Sequence, residues 1–238
     1  GFPCVIKPTI GTASEGVLLV SDEQQLDSLI TSARVKAKKT EFETTFFVEE
    51  YIDGPQFDVE GIICDGELYI LCIVQENYEG FLPEFNYNWY LFNPDISPEL
   101  EERIYLSVAQ MLTSLEIRNG AFHTEFRIRP CGEIIFLDFA NRMGGGFEAL
   151  ISECTGTNFA SIYVDWMVSK KHPRIINKRH KTFIKYLKDS QEEVVWDDFL
   201  RGCGVEFSLL ENRYRGTIKK IICKNISVSH LTKISEEF

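Results

Sequence analysis

Two acidic residues at the ends of short apolar stretches, Glu125 and Asp138, are the residues of this chain best placed to do chemistry. The stretches are Gly120–Ile128 and Glu133–Gly146, and a Pro130–Gly132 turn joins them. Apolar and polar residues alternate on both sides of that turn, which predicts a pair of antiparallel strands. Antiparallel pairing would bring the two carboxylates close enough to hold a divalent ion. Magnesium suits such a site, because it prefers oxygen ligands and fills its other positions with phosphate oxygens and water.

The length and composition of the chain narrow the classes of protein to which it could belong. Its 238 residues, 44% of them hydrophobic, suffice for one large domain, or for one domain with a lid and a smaller appendage. No apolar run approaches the roughly twenty residues of a membrane span, so we expect a soluble protein without a membrane partner. The formal net charge of −11 argues against a nucleic-acid partner, because binding to phosphates needs clustered Lys and Arg.

The cysteines and the first residues lead to two further expectations. Seven cysteines without a C-x-x-C pair, mostly within apolar runs, indicate reduced thiols in a cytoplasmic protein rather than disulfides or a zinc site. Residue 1 is Gly rather than Met, and Phe2–Pro8 already reads as the approach to a strand. We therefore expect that the chain's own N-terminal domain, which would complete the working protein, has been left out or removed.

Strand and helix patterns follow one another along the chain, which predicts a mixed α and β organisation. Strands are predicted at 5–7, 16–20, 45–51, 57–64, 67–75, 183–187, 205–209 and 217–222. Helices are predicted at 21–38, 98–114, 147–152 and 159–168. The helix from Pro98 is the strongest of these, because apolar residues from Leu100 to Leu115 recur on one face. The last strands predict a terminal β-rich piece.

Five motifs occur in a recognisable order. They are Val5-Ile-Lys-Pro8, Val48-Glu-Glu-Tyr-Ile52, Gly54-Pro-Gln56, Phe122-His-Thr-Glu-Phe126, and Leu137-Asp-Phe-Ala-Asn-Arg142 with Gly144-Gly-Gly146 after it. This order resembles the ATP-grasp superfamily over roughly residues 1–168, and within it the carboxylate-amine ligases that include L-amino-acid ligases. The resemblance implies an α+β ATP-grasp fold with a lid subdomain at 1–48, an antiparallel-sheet core with the metal and substrate site at 49–168, and a C-terminal β-rich subdomain at 169–238.

A lysine before a small-residue loop could bind phosphates. The Lys7 ammonium could neutralise phosphate oxygens, while the loop amides and the Ser14 hydroxyl donate to others. By resemblance, Lys7 would be the lid lysine that touches the α- and β-phosphates of ATP. The alternative is a surface lysine beside an ordinary turn, and the loop lacks the Gly-Lys-Ser/Thr ending of a P-loop.

The motif around Tyr51 resembles the hinge where the superfamily holds adenine. Backbone groups of Glu50 and Ile52 would bond the purine edge, and Glu49 would approach its amino group. Gln56 would take the ribose hydroxyls at a position where related ligases often carry Glu, and an amide can still accept from a hydroxyl. A pair of solvated acids at a strand end is the alternative for Glu49 and Glu50.

The resemblance also assigns the metal ligands. Glu125 and Asp138 would hold Mg²⁺, or Mn²⁺ in its place, against the β- and γ-phosphates of ATP. Related ligases often have Glu at the second position and Asn two residues later, where this chain has Asp138 and Ala140. One carboxylate is therefore shorter and one ligand is missing, so the number of metal ions stays open. Each acid taken alone could be an ordinary surface residue.

The residues around the hairpin would meet the substrates. A fixed guanidinium at Arg142, the predicted catalytic residue, suits a substrate carboxylate and an acyl phosphate, and Gly145 would let backbone amides approach closely. His123 alternates with Glu125, so both should face one side of the strand, where His123 could contact the amino substrate or serve a structural role. Glu84 matches a position where such ligases often carry an acid near the substrate, with a loop carboxylate as the alternative.

These assignments predict an ATP-dependent carboxylate–amine ligase. ATP would phosphorylate a small-molecule carboxylate, an amine would attack the acyl phosphate, and ADP and phosphate would leave. One alternative is another ATP-grasp ligase, similar to biotin carboxylase or glycinamide ribonucleotide synthetase. A second is a non-catalytic ATP-binding module, which the departures at Gln56, Asp138 and Ala140 favour. The region from Lys170 onwards could cap the active site, form a homodimer or bind a partner.

Overall fold

The computed structural model describes residues 1–11, 14, 16–37, 45–79, 86–156, 158–174, 180–187, 190–212 and 218–237. Eleven strands and six helices are defined within these ranges. The strands are β1 (Cys4–Pro8), β2 (Leu18–Val20), β3 (Phe46–Glu50), β4 (Gln56–Cys64), β5 (Glu67–Glu79), β6 (Asn86–Phe92), β7 (Gly120–Ile128), β8 (Ile134–Ala140), β9 (Thr182–Leu187), β10 (Phe207–Asn212) and β11 (Ile218–Lys224). The helices are α1 (Glu23–Ala37), α2 (Pro98–Ser114), α3 (Glu148–Thr155), α4 (Phe159–Ser169), α5 (Ser190–Cys203) and α6 (Val228–Glu237).

The elements belong to two compact units. The first comprises Gly1–Gly54 and Tyr78–Tyr87, and the second comprises Pro55–Asn77 and Asn88–Phe238. The boundaries at residues 48 and 168 that the sequence analysis proposed rest on the resemblance alone, and they stay predictions.

The first unit contains a three-stranded antiparallel sheet with one helix against it. β1 lies in the centre, paired with β2 and β3. The inward side chains of β1 and β2 are apolar and buried, and Leu26, Leu29 and Ile30 of α1 pack against them. The Asp22 carboxylate accepts a hydrogen bond from the Gln25 amide (3.0 Å), which satisfies one backbone donor at the start of α1.

The second unit is built on an eight-stranded sheet in the order β10-β11-β9-β6-β5-β4-β7-β8. Helix α2 covers one face of this sheet, because Ile104, Val108 and Leu112 pack against buried residues of β4, β5 and β7. The Ser97 hydroxyl accepts a hydrogen bond from the Leu100 amide (3.2 Å) and caps the helix. The predicted bounds of this helix, 98–114, are confirmed.

Strand β4 lies within the sheet and is buried on both faces. Phe57 and Val59 point towards α2 and belong to the apolar core. Gln56, Asp58 and Glu60 alternate with them and therefore point to the opposite face. All five side chains belong to residues that are at least nine-tenths buried. We call the surface formed by Gln56, Asp58, Glu60 and their cross-strand neighbours on that side the polar face.

Three elements were not predicted from the sequence, namely β6, α5 and α6. β6 lies inside the sheet between β9 and β5, where its Tyr90 is buried. α5 buries Trp196 and Leu200, four residues apart, and Glu192 in its first turn pairs with the buried ammonium of Lys185 on β9 (2.7 Å). The region after residue 169 therefore contains two helices as well as strands, and its strands belong to the main sheet.

No helix within the described ranges is both long and apolar enough to cross a membrane. The seven cysteines, all within the described ranges, form no disulfide, and five of them are buried.

Replacement of Leu112 by Ala should lower the free energy of unfolding by about 2–5 kcal/mol, because this side chain is fully buried between α2 and the sheet. The matched control is Leu106→Ala on the same helix. Leu106 is 57% exposed, so its truncation should change the free energy by less than about 0.5 kcal/mol. Chemical denaturation followed by circular dichroism measures both values, and equal losses would contradict the packing of α2.

Candidate active site

A row of three carboxylates crosses the polar face. Asp58 of β4 lies opposite Glu125 of β7, and Glu125 lies opposite Asp138 of β8. Residues that oppose each other in antiparallel strands share one face of the sheet, and like charges there repel. The predicted hairpin of β7 and β8 is confirmed, and it places Glu125 and Asp138 side by side. Asp138 is exposed, whereas Asp58 is completely buried.

Two β-bulges set this arrangement. The pairing of β7 with β8 shifts by one residue between Glu125 and Phe126, which brings Asp138 rather than Leu137 opposite Glu125. The pairing of β4 with β5 shifts between Glu60 and Gly61, and Glu76 consequently lies opposite Gln56. A shift of one residue exchanges the two faces of a strand, so each bulge turns one carboxylate onto the polar face.

Three carboxylates come together in the interior of this face. Oxygen atoms of Asp58, Glu76 and Glu125 all lie within 4.8 Å of one another, and Asp138 does not belong to this group. Neither oxygen of the Asp58 carboxylate has a hydrogen-bond partner among the described residues. Burial and the neighbouring Glu76 raise the pKa of Asp58 well above its ordinary value, since both disfavour the charged form.

The amide of Gln56 connects two of these acids to a cation. Its Nε2 donates to Glu76 Oε2 (2.9 Å) and to Glu125 Oε2 (3.3 Å), and its Oε1 accepts from Arg127 Nε (3.1 Å). Both ends of the amide are therefore engaged within the polar face. A glutamate at this position would add one more carboxylate beside Glu76 and Glu125, which explains physically why an amide suits this chain. The ribose contact predicted for Gln56 would require it to exchange one of these bonds.

His123 bridges two other carboxylates. Its Nδ1 lies 2.5 Å from Glu60 Oε1, and its Nε2 lies 3.2 Å from Glu125 Oε1. Burial disfavours the charged imidazole, but the hydrogen bonds to Glu125 and Glu60 outweigh it and raise the pKa of His123 to about 10. At neutral pH both ring nitrogens therefore carry protons and donate to carboxylates. His123 and Glu125 do face the same side of β7, as their alternation predicts.

The segment after β8 is attached to the polar face through Glu60. The Gly144 amide donates to Glu60 Oε2 (3.0 Å), and Phe147 packs edge-on against the ring of His123 (6.2 Å between centroids). A side chain at residue 144 would overlap Glu60, so only glycine allows this approach. Arg142 lies two residues earlier, exposed, with its Nη1 donating to the Met143 carbonyl (2.7 Å).

The residues predicted to bind ATP lie mainly in the first unit. Lys7 on β1 and Glu49 on β3 form an ion pair, with side chains that are 17% and 29% exposed. Ser14 follows β1 in a turn with φ of 55°, and its carbonyl accepts from the Val17 amide (3.0 Å).

The predicted adenine hinge follows β3. Glu50 is exposed, Tyr51 is half-buried and donates its amide to the Pro3 carbonyl (3.4 Å), and Ile52 is buried. Glu84, which was predicted to lie near the substrate, falls outside the described residues. The assignments of all these residues to ATP or substrate stay predictions.

Asp58, Glu60 and Glu76 were not predicted from the sequence. For Asp58 and Glu60 the signal was the run Gln56-Phe-Asp-Val-Glu60, in which acids alternate with core residues within an otherwise apolar strand. Acids are rarely buried unless they are paired, so such alternation indicates an interior charge network. These residues fit a divalent ion, because Asp58 offers two buried oxygens without a donor.

Replacement of Gly144 by Ala should lower the free energy of unfolding by about 1–3 kcal/mol. The new methyl group would overlap Glu60 Oε1 and lie 2.9 Å from His123 Nδ1. Gly145→Ala is the matched control, because nothing lies within 4 Å of a Cβ there. Chemical denaturation distinguishes the two, and a similar loss in both variants would contradict the proposed role of the Gly144 approach.

The stability of the protein should depend on the charge of His123. Its pKa is raised in the folded state, so its stabilising contribution is complete below pH about 6.5 and is lost as the pH rises through about 10. In EDTA, the free energy of unfolding of the wild type should therefore fall more steeply over this range than that of His123→Gln. The exposed His180→Gln variant should follow the wild type. Parallel profiles for the wild type and His123→Gln would refute this charge assignment.

Comparisons with known proteins agree with the predicted resemblance. Dapdiamide A synthase of Enterobacter agglomerans is 28% identical over 161 residues, which cover 65% of this chain and 37% of that protein. Alanine–anticapsin ligase of Bacillus subtilis strain 168 is 25% identical over 186 residues, which cover 69% of this chain and 38% of that protein. The chain thus spans less than two fifths of the length of these curated relatives.

The fold has a counterpart among solved structures. The crystal structure of an L-amino acid ligase from Bacillus licheniformis superposes with a TM-score of 0.77 and 20% identity, over 100% of this chain and 62% of that one. The predicted α+β ATP-grasp fold is confirmed by this likeness and by a sequence model of the ATP-grasp domain that matches residues 1–149. Because that match extends over more than half of its length, the chain belongs to the ATP-grasp family.

Proposed function

We propose that the chain carries the ATP-binding and metal-binding parts of a carboxylate–amine ligase. This enzyme would form an amide or peptide bond through an acyl phosphate, with release of ADP and phosphate. The observation that carries the proposal is the strand register that places Glu125 opposite Asp138. The segment that follows Arg142 is held against the same face of the sheet, because the Gly144 amide donates to Glu60. The similarity to dapdiamide A synthase and to alanine–anticapsin ligase supports the ligase class.

ATP would be held by the first unit. The Lys7 ammonium now pairs with the Glu49 carboxylate. The phosphates of ATP would compete with Glu49 for this ammonium, because they carry more negative charge. Ser14 would add a hydroxyl donor from the turn that follows β1. The backbone of 50–52 would bond the adenine edge, since backbone groups at a strand end can serve as donors and acceptors for a purine.

Glu125 and Asp138 would hold Mg²⁺ or Mn²⁺. The ion would supply charge neutralisation on the β- and γ-phosphates. We assign His123 to the positioning of Glu125 rather than to a substrate, because both of its ring nitrogens already lie against carboxylates. Its Nε2 lies 3.2 Å from Glu125 Oε1, so the ring holds that carboxylate in a fixed orientation.

Arg142 would serve the substrate carboxylate and the acyl phosphate. The substrate carboxylate attacks the γ-phosphoryl group of ATP and ADP leaves, and the amine then attacks the acyl carbon and displaces phosphate. Each of these species is an oxyanion, which a guanidinium binds through two parallel hydrogen bonds. Arg142 is exposed, so its side chain is accessible to a ligand, and a Cβ at Gly145, three residues later, would meet nothing within 4 Å. Small-molecule carboxylates and amines are the proposed substrates.

The products of ATP test this function. Purified protein is incubated with ATP, Mg²⁺ and a panel of carboxylates paired with amines, including amino acids as both partners. We expect ADP, phosphate and an amide that mass spectrometry detects. Formation of AMP and pyrophosphate would rule the proposal out. ADP release that requires bicarbonate would favour a biotin-carboxylase-like enzyme instead, and ATP binding without turnover on any pair would favour a non-catalytic module.

Replacement of Arg142 by Lys should lower kcat/KM about 100-fold, because an ammonium cannot form the two parallel bonds to an oxyanion. Thermal stability should stay unchanged, since Arg142 is exposed. Arg174→Lys at another exposed position is the control, and it should keep full activity. Full activity in the Arg142→Lys variant would contradict the catalytic role.

A further inference from the structure

The Asp58 carboxylate lies inside the polar face without a donor. Its exposed fraction is 0%, and neither oxygen has a hydrogen-bond partner among the described residues. A buried carboxylate without hydrogen bonds is strongly unfavourable, so a proton or a cation must accompany it. Its cross-strand neighbours on β5 and β7 are Val74 and Glu125, neither of which can donate.

We propose that Asp58, Glu76 and Glu125 bind a divalent cation of the Mg²⁺, Mn²⁺ or Ca²⁺ class, independently of ATP. This site goes beyond the proposed ligase function. It differs from the pair Glu125 and Asp138 in its two buried ligands, and it shares only Glu125 with that pair.

The spacing of the oxygens fits one ion. Two oxygens on opposite sides of Mg²⁺ lie about 4.0–4.2 Å apart, and on opposite sides of Ca²⁺ about 4.6–5.2 Å apart. The three carboxylates each place one oxygen within 4.8 Å of the others, so small movements of the side chains would close them around a single ion. Carboxylate oxygens are the ligands that these hard cations prefer, whereas zinc favours sulfur and nitrogen.

Acids predominate on the polar face among the described residues. Asp58, Glu60, Glu76 and Glu125 lie there together with His123 and Arg127. The His123 ring lies between Glu60 and Glu125, and Arg127 Nε donates to the Gln56 carbonyl oxygen. A divalent ion among Asp58, Glu76 and Glu125 would offset the repulsion between these three carboxylates.

The neighbouring polar groups already orient the ligands. Gln56 Nε2 donates to Glu76 Oε2 and Glu125 Oε2, and His123 Nε2 lies against Glu125 Oε1. Such outer partners fix the orientation of metal-binding carboxylates. Asp58 is held by the backbone of β4 between two strands, so the fold presents its carboxylate to the other two.

Titration of the metal-free protein with Mn²⁺ alone, without nucleotide, tests this site. Electron paramagnetic resonance measures the concentration of unbound Mn²⁺, from which the number of bound ions follows. Thermal unfolding measures the rise in melting temperature that binding produces. We expect one ion for each wild-type chain. Asp58→Asn and Glu76→Gln should each weaken binding by at least about tenfold, whereas Asp138→Asn should retain it. Asparagine and glutamine keep the shape of the acids and remove buried charge, so we expect both variants to fold.

The outcomes separate this site from its rivals. Loss of nucleotide-free binding in Asp138→Asn, with binding kept in Asp58→Asn and Glu76→Gln, would place the ion at Glu125 and Asp138 and overturn the proposal. Absence of Mn²⁺ and Ca²⁺ binding to the wild type, together with a raised melting temperature in Asp58→Asn, would assign a shared proton to Asp58 and Glu76 instead. Neither experiment measures ADP, so the ligase proposal is tested separately by its products.

Discussion

Repulsion among buried carboxylates is the constraint on which the rest of the polar face depends. Asp58, Glu76 and Glu125 place oxygens within 4.8 Å of one another in a part of the sheet that water does not reach freely. Such a cluster persists only if cations, donors or protons offset it. His123 and Gln56 supply part of that compensation, and they are held in place by the same strands that carry the acids.

This repulsion accounts for one departure of the chain from the usual ATP-grasp pattern, namely Gln56. Related ligases often have Glu where this chain has Gln56, and an amide there donates to Glu76 and Glu125 instead of repelling them. The substitution therefore accompanies the presence of Asp58 and Glu76 on the same face. A loss of nucleotide binding is not needed to explain Gln56, so this residue no longer favours a non-catalytic module.

Local patterns in the sequence predicted the parts of the structure that local interactions decide. Helix α2 has a cap, a proline and an apolar face within its own residues, and its bounds were predicted correctly. The hairpin of Glu125 and Asp138 follows from its turn and its alternation. The proximity of Asp58 and Glu76 could not be predicted from such local patterns, because it depends on a β-bulge between Glu60 and Gly61. There a Cβ would lie 2.6 Å from the Tyr69 carbonyl oxygen and close to Phe122 on another strand.

Three hydrogen bonds join Glu125 to the backbone of Gly144, two residues after Arg142. Glu125 contacts one nitrogen of His123, the other nitrogen contacts Glu60, and Glu60 accepts from the Gly144 amide. The guanidinium two residues before that amide is thus tied to the interior by a relay rather than by its own side chain. An ion that bound at Glu125 as proposed would shift this carboxylate, and the three hydrogen bonds would transmit the shift to the segment that carries Arg142.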